Sequence, residues 1–187
     1  MTLTVITPPA EPPVSLTEAR DHLRIGHDGE DAYVLRLIDA ATARLEGAAG
    51  LALVTRALRK TYSHWPARLQ GRGELLRPGP VSRLLAVGVR NASGGVEDHT
   101  VRFKLDCGRL TLRPWSILAQ IADTSAVEVD FEAGYAASAG DVPADLKQAV
   151  LMLAAEAYGR DGRMGETADG LPGAVQSILA ARRELRI

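Results

Sequence analysis

The sequence predicts an α+β protein: a small helical bundle with an inserted antiparallel β domain and a C-terminal helix. Three observations carry that expectation. Apolar residues recur at helical spacing in two separated blocks, Val34, Leu37, Ile38, Ala41 and Leu45 in the first and Leu146, Ala149, Val150, Leu153 and Ala157 in the second. Between the blocks the period falls to two, as where Val101, Phe103 and Leu105 alternate with Arg102, Lys104 and Asp106. Turn residues also crowd this middle region, with Pro66, Pro78, Pro80 and the run Asn91 to Gly95.

Residues 1–14 carry Pro8, Pro9, Pro12 and Pro13 and read as an extended arm. Ser15 and Glu18 then form a capping-box pattern, so a helix is expected over about 16 to 25. The run Gly26 to Gly29 breaks it. Asp28 or Glu30 opens a second helix, which the glycines from Gly47 to Gly50 terminate. Residues 15–53 thus form the first part of the helical domain.

Residues 54–133 form the β insertion. Strands are expected at Thr55 to Trp65 and Glu74 to Leu76, with one hairpin after Val87 and Val89 and another turning at Cys107 and Gly108 into Leu110 and Leu112. In a last strand Val127, Val129 and Phe131 face one way and Glu128, Asp130 and Glu132 the other. Residues 134–170 return to the helical domain: Gly134 and Gly140 bend the chain, Pro143 opens a helix, and Gly159 to Gly170 is a polar, flexible connection. Residues 171–187 form the C-terminal helix, with Val175, Ile178, Leu179 and Leu185 broadly on one side. Arg182, Arg183 and Arg186 lie near its end, where the helix dipole favours cations.

Composition narrows the functional classes. At 187 residues, with 46% hydrophobic and 24% charged content, the chain is expected to fold as a soluble domain with its own core. No apolar run approaches the roughly 18–20 residues that span a bilayer, and the first residues lack the features of a secretory signal, so no membrane partner is expected. Cys107 is the sole cysteine, which excludes an intramolecular disulfide and a cysteine-based zinc knuckle.

Charge is unevenly distributed. Residues 51–115 hold twelve Lys or Arg against four acids, whereas residues 1–50 hold four Arg against eight acids and residues 116–170 three against ten. Opposite patches of this kind can fix register between neighbouring subunits, and Arg56, Arg59, Lys60, Arg102 and Lys104 are the candidate inter-subunit charge patch. A solvated surface whose signs happen to cluster is the simpler alternative.

No catalytic constellation emerges. His22 and His27 are badly spaced for one helical face, and His64 and His99 have no motif around them. The acidic pairs suit turns and helix starts, and none of the glycine-rich pieces has the spacing of a phosphate loop. No cofactor and no metal are expected. The basic middle, with Tyr62 and Trp65 interleaved, could stack on and neutralise a single nucleic-acid strand, but the acidic flanks oppose it.

The order of motifs is similar to that of the head–tail connector (adaptor) proteins of long-tailed bacteriophages and phage-like gene transfer agents. The residues that carry this are SLTEARDHLRI (15–25), EDAYVLRLIDAATARLE (30–46), RPGPVSRLLAVGV (77–89), VEVDFEAGY (127–135) and DVPADLKQAVLMLAAEAY (141–158). The resemblance implies a non-enzymatic component of a particle neck, made in the bacterial cytoplasm and assembled as a homo-oligomeric ring of 12 copies. It implies a portal protein on one side, a stopper or tail-completion protein on the other, and DNA passing through the channel without specific binding.

The resemblance also implies a role for the C-terminal segment, which members of that family often use to grip the portal; that would make Val175, Ile178, Leu179, Arg182, Arg183, Leu185 and Arg186 the portal interface. The alternative for this helix is a fourth bundle member packed on its own subunit. For the whole chain, a small cytosolic enzyme and a nucleic-acid-binding regulatory module are the readings from other classes.

Overall fold

The computed structural model describes residues 1–118, 120, 125–159 and 170–182. Its elements run β1 (Thr2–Thr7), α1 (Leu16–Leu23), α2 (Asp31–Ala49), β2 (Arg56–Tyr62), β3 (Glu74–Leu75), β4 (Val81–Arg90), β5 (Val96–Asp98), β6 (Phe103–Asp106), β7 (Arg109–Leu112), β8 (Ala126–Ala133), α3 (Ala144–Tyr158) and α4 (Gly173–Ala181). The fold is α+β with antiparallel sheets. Two compact units divide it, a β unit of residues 1–9 and 55–134 and a helical unit of residues 10–54 and 135–187.

In the helical unit the motifs act as their chemistry dictates. Ser15 Oγ accepts from the Glu18 backbone N–H at 3.2 Å, and a Glu18 carboxylate oxygen accepts from the Ser15 N–H at 2.8 Å. Two otherwise unpaired donors at the start of α1 are thereby satisfied. The backbone bond from Ser15, followed by the hydrogen bond from Lys147, holds the Glu18 carboxyl below its usual range. Gly50 ends α2 in a left-handed conformation, φ 64°, which an L side chain tolerates poorly. Pro143 sits one residue ahead of α3 as its N-cap.

One apolar cluster fills the unit, with Val34, Leu37, Ile38, Ala41 and Leu45 from α2, Leu146, Ala149, Val150 and Leu153 from α3, and Val175 from α4. Each fully buried Leu, Ile or Val contributes about 1.5–3 kcal/mol, so this cluster holds the unit together.

The β unit contains a five-stranded sheet in the order β1-β2-β8-β4-β5 and a three-stranded sheet in the order β3-β7-β6. Register sorts the side chains of the larger sheet. Tyr62, Val127 and Val89 stand in one row, Lys60, Val129 and Val87 in the next, and Leu58, Phe131 and Leu84 in a third. This face is largely buried, along with Leu76, Phe103 and Leu110 from the smaller sheet. The opposite face carries Arg59, Glu128, Asp130 and Glu132.

Residues 1–14, expected to be an extended arm, instead begin with a paired strand. Thr2 to Thr7 run antiparallel to β2, with Leu3 opposite Lys60 and Val5 opposite Leu58. The six residues TLTVIT before the prolines are rich in β-branched side chains, and that local propensity prevails. The prolines then start the route into the helical unit, where Val14 is fully buried.

Candidate interaction surfaces

Among the described residues no group of three or more His, Cys, Asp and Glu could hold a metal ion, and no helix there is long and apolar enough to cross a membrane. His22, His27 and His64 are exposed. His99 is buried and meets the Trp65 ring edge-on, with centroids 5.9 Å apart. Cys107 is exposed at the β6–β7 turn.

The seven residues expected at a portal interface divide into two groups. Val175 is fully buried in the apolar cluster of its own chain, and Ile178 and Leu179 pack against the same cluster. Arg182, at the end of α4, donates from Nε and Nη2 to the two carboxylate oxygens of Asp145 at 2.6 and 2.5 Å. Its guanidinium also lies 5.5 Å from the centroid of the Tyr135 ring. This paired hydrogen bond holds the Asp145 carboxyl below its usual range and pushes Arg182 up. Spacing at i, i+3 and i+4 therefore turns α4 onto its own bundle, as the alternative for this helix expected. Arg183, Leu185 and Arg186, and residues 160–169 of the expected flexible connection, lie outside the described residues.

The five residues of the charge patch also divide. Arg59, in the middle of β2, donates from Nε and Nη2 to both oxygens of Asp130, each at 2.7 Å, and its Nη1 lies 3.0 Å from Glu128. Arg90 completes the group with bonds of 2.6 and 2.9 Å to Glu128. The hydrogen bond to Asp130 pushes the Arg59 guanidinium up despite partial burial, and the bond to Glu128 does the same for Arg90.

Lys60 is buried, with its Nζ 3.6 Å from Glu74 and 5.3 Å from the Tyr62 ring centroid. Burial first, then the Glu74 carboxylate, raises the Tyr62 phenol. Arg102 donates to the Ile117 carbonyl at 3.0 Å, Lys104 stands 3.9 Å from Asp106 at the surface, and Arg56 is half-buried at the start of β2. Arg59 and Lys60 are thus committed to acids of their own unit.

Basic residues of 51–115 and acids of 116–170 fold together, because β8 brings Glu128, Asp130 and Glu132 to the basic strands β2 and β4. Counted by unit over the full sequence, the β unit holds twelve Lys or Arg against eight acids and the helical unit ten against fifteen.

Sequence reasoning missed the exposed apolar residues. Among the described residues, large hydrophobic side chains are exposed at Met1, Leu3, Val5, Ile6, Leu35, Val96, Val101, Trp115 and Ile117, and all but Leu35 belong to the β unit. Trp115 is 101% exposed and holds a left-handed backbone, φ 67°, rare for a bulky L residue. The motif RPWSIL (113–118) contained the signal: two large apolar residues beside a proline, outside any alternating pattern.

Residues 13–70 match the family model described as "Phage gp6-like head-tail connector protein". Solved structures give full-length similarity. One matching chain belongs to the virion of a native gene transfer agent particle, and another to the neck of an empty particle of that kind computed with C6 symmetry. Each is 30% identical with a TM-score of 0.80, covering 100% of this chain and 97% of the other. A third, from the neck of a native particle computed with C12 symmetry, has a TM-score of 0.77 at the same identity and coverage. No curated protein matches the chain.

Proposed function

The chain belongs to the phage head–tail connector family, and on that premise we propose that it is a structural component of a particle neck, where its copies form a ring around the DNA exit channel. The observation that carries this is the similarity to chains of gene transfer agent particles and their necks at 30% identity over the whole length. A twelve-copy ring accords with the C12 symmetry of one such neck. The ring stands between the portal protein and the stopper or tail-completion protein, and DNA passes without specific binding. The work asked of the chain is to present surfaces, so no reaction is assigned to it. No relative favours the enzyme or the regulatory module.

In this reading α4 is fixed to its own bundle by Val175, Ile178, Leu179 and Arg182, and portal contact is carried by the segment beyond it, with Arg183, Leu185 and Arg186. The opposite charge excesses of the two units supply attraction between copies that salt weakens.

Deletion of the gene in a particle-producing bacterium tests the proposal. DNA-filled heads and separate tails should accumulate without joining, and a plasmid copy should restore tailed particles. Tailed, infective or gene-transferring particles in the deletion strain would overturn it.

A further inference from the structure

The exposed apolar residues of the β unit collect at two places. One is β1, an outer strand of the five-stranded sheet, with Leu3, Val5 and Ile6 each about half exposed. Among the described residues β1 pairs only with β2, so its outer backbone edge is free for another strand or side chain. The other place lies across the same sheet. There β5 and the short 3-10 turn Thr100–Arg102 flank β4: the His99 N–H donates to the Val87 carbonyl at 2.8 Å, and Thr100 Oγ1 accepts from the Val87 N–H at 2.9 Å.

Two arginines fasten the 113–118 loop to this turn. Arg102 donates to the Ile117 carbonyl at 3.0 Å, and Arg113 donates from Nε to the Phe103 carbonyl at 3.0 Å and from its backbone N–H to the Arg102 carbonyl at 2.8 Å. The result is a braced platform that presents Val101, Trp115 and Ile117 to solvent at 79%, 101% and 80% exposure. Exposed large apolar residues gathered this way mark a contact surface, and tryptophan leads the residue types that dominate interface energy.

A closed ring needs two different, mutually complementary surfaces on every copy, because each subunit meets one neighbour head-first and the other tail-first. The two apolar places meet that requirement: they stand on opposite sides of one sheet within one unit. We propose that the Val101–Trp115–Ile117 platform of one copy docks on the β1 edge, at Leu3 and Val5, of the next copy around the ring. This rests on the ring reading above and assigns the apolar part of its copy-to-copy contact to the β unit. The occupant is a second copy because the similar chains come from necks of cyclic symmetry, so a neighbour of the same kind stands beside each. Charged partners are not needed at this contact, since TLTVIT carries no charge.

Two measurements on whole particles test it. Hydroxyl-radical footprinting of wild-type chain should find Trp115 readily oxidised in the free protein and protected in purified necks. Second, a chain carrying Val5→Cys and Trp115→Cys in a Cys107→Ser background should, on oxidation of assembled particles, give a ladder of covalent multimers. Neither single-cysteine chain should give one. Trp115→Ala should leave melting unchanged and weaken the contact between copies on the order of thirty-fold.

Trp115 staying as reactive in necks as in the free chain would overturn the proposal, even if the cysteine chain failed to assemble. Trp115 protected in necks, with assembled double-cysteine chain giving no ladder, would assign the platform to a different neck protein and also overturn it. Absence of the chain from necks altogether would instead sink the ring reading on which the proposal stands.

Discussion

Among the described residues the helical unit hides nearly all of its large apolar side chains, whereas the β unit buries one set and leaves eight others exposed. In the first, among the described residues, only Leu35 is a large exposed hydrophobic, and α4 uses Val175, Ile178 and Leu179 to close the bundle. In the second, β1 and the Trp115 platform leave apolar surface in water while charged side chains, Arg59, Asp130, Glu128 and Arg90, are tied to one another across the sheet. A unit that satisfies itself is a scaffold. A unit that satisfies its charges but not its apolar edges is prepared for partners that exclude water. The difference separates substitutions that unfold the chain from those that spare the fold and disable assembly.

The largest stability effect belongs to the helical core. Leu153→Ala removes a fully buried side chain and should cost about 2–5 kcal/mol, read as a fall in denaturation midpoint. Trp115→Ala should cost almost nothing on the same scale. Equal losses for the two would mean that Trp115 packs into the fold rather than standing clear of it.

Next comes the ionic face. Arg59→Met leaves Asp130 and Glu128 without their shared cation at largely buried positions. It should destabilise the β unit by about 1–3 kcal/mol, less than a fully buried pair because Arg59 is a third exposed. A neutral result in chemical denaturation would mean that the network contributes order without stability.

Ser15→Ala should cost about 1 kcal/mol through the lost cap of α1. Asp145→Asn, which weakens the tie to Arg182, should cost about 0.5–1 kcal/mol, since both side chains are partly exposed. Hydrogen exchange should then rise in α4 before it rises in α3.

The same carboxyls set a pH dependence. Folding holds Asp145 and Glu18 below their usual range, so the native chain binds fewer protons than the unfolded one. Their contribution is complete above about pH 5 and is lost as the pH falls through and below about 4. The wild-type chain should therefore lose more stability on acidification than Asp145→Asn, and parallel curves would refute the assignment.

Much of the helical unit was legible because helices write their core as a local period: the five positions of α2 read as one face are all buried. The β hairpin over β6 and β7 and the last strand were legible for the same local reason, except that Val101, read as a position of the hairpin strand, lies in the 3-10 turn Thr100–Arg102 ahead of β6 and is exposed. What could not be read was pairing between distant segments. TLTVIT shows a strand's composition but not that Arg56 to Tyr62 will accept it, and the prolines that follow argue for an unpaired arm. Likewise Lys60 reads as a surface cation until register places it in the row of Val129 and Val87 and brings Glu74 to its ammonium. The C-terminal helix was ambiguous because the same apolar stripe serves a bundle or a foreign groove; the fold shows Val175, Ile178 and Leu179 in the cluster of their own chain, which local sequence could not foretell.

The reading that copies of this chain form a ring in the neck of a tailed particle can be checked by imaging. A cryo-electron reconstruction of necks from the producing strain, with the chain carrying a small C-terminal tag, tests it most directly. Cyclic density is expected between portal and tail, fitted by this fold, with tag density repeated once per copy. Necks that reconstruct fully without the fold or the tag would contradict it.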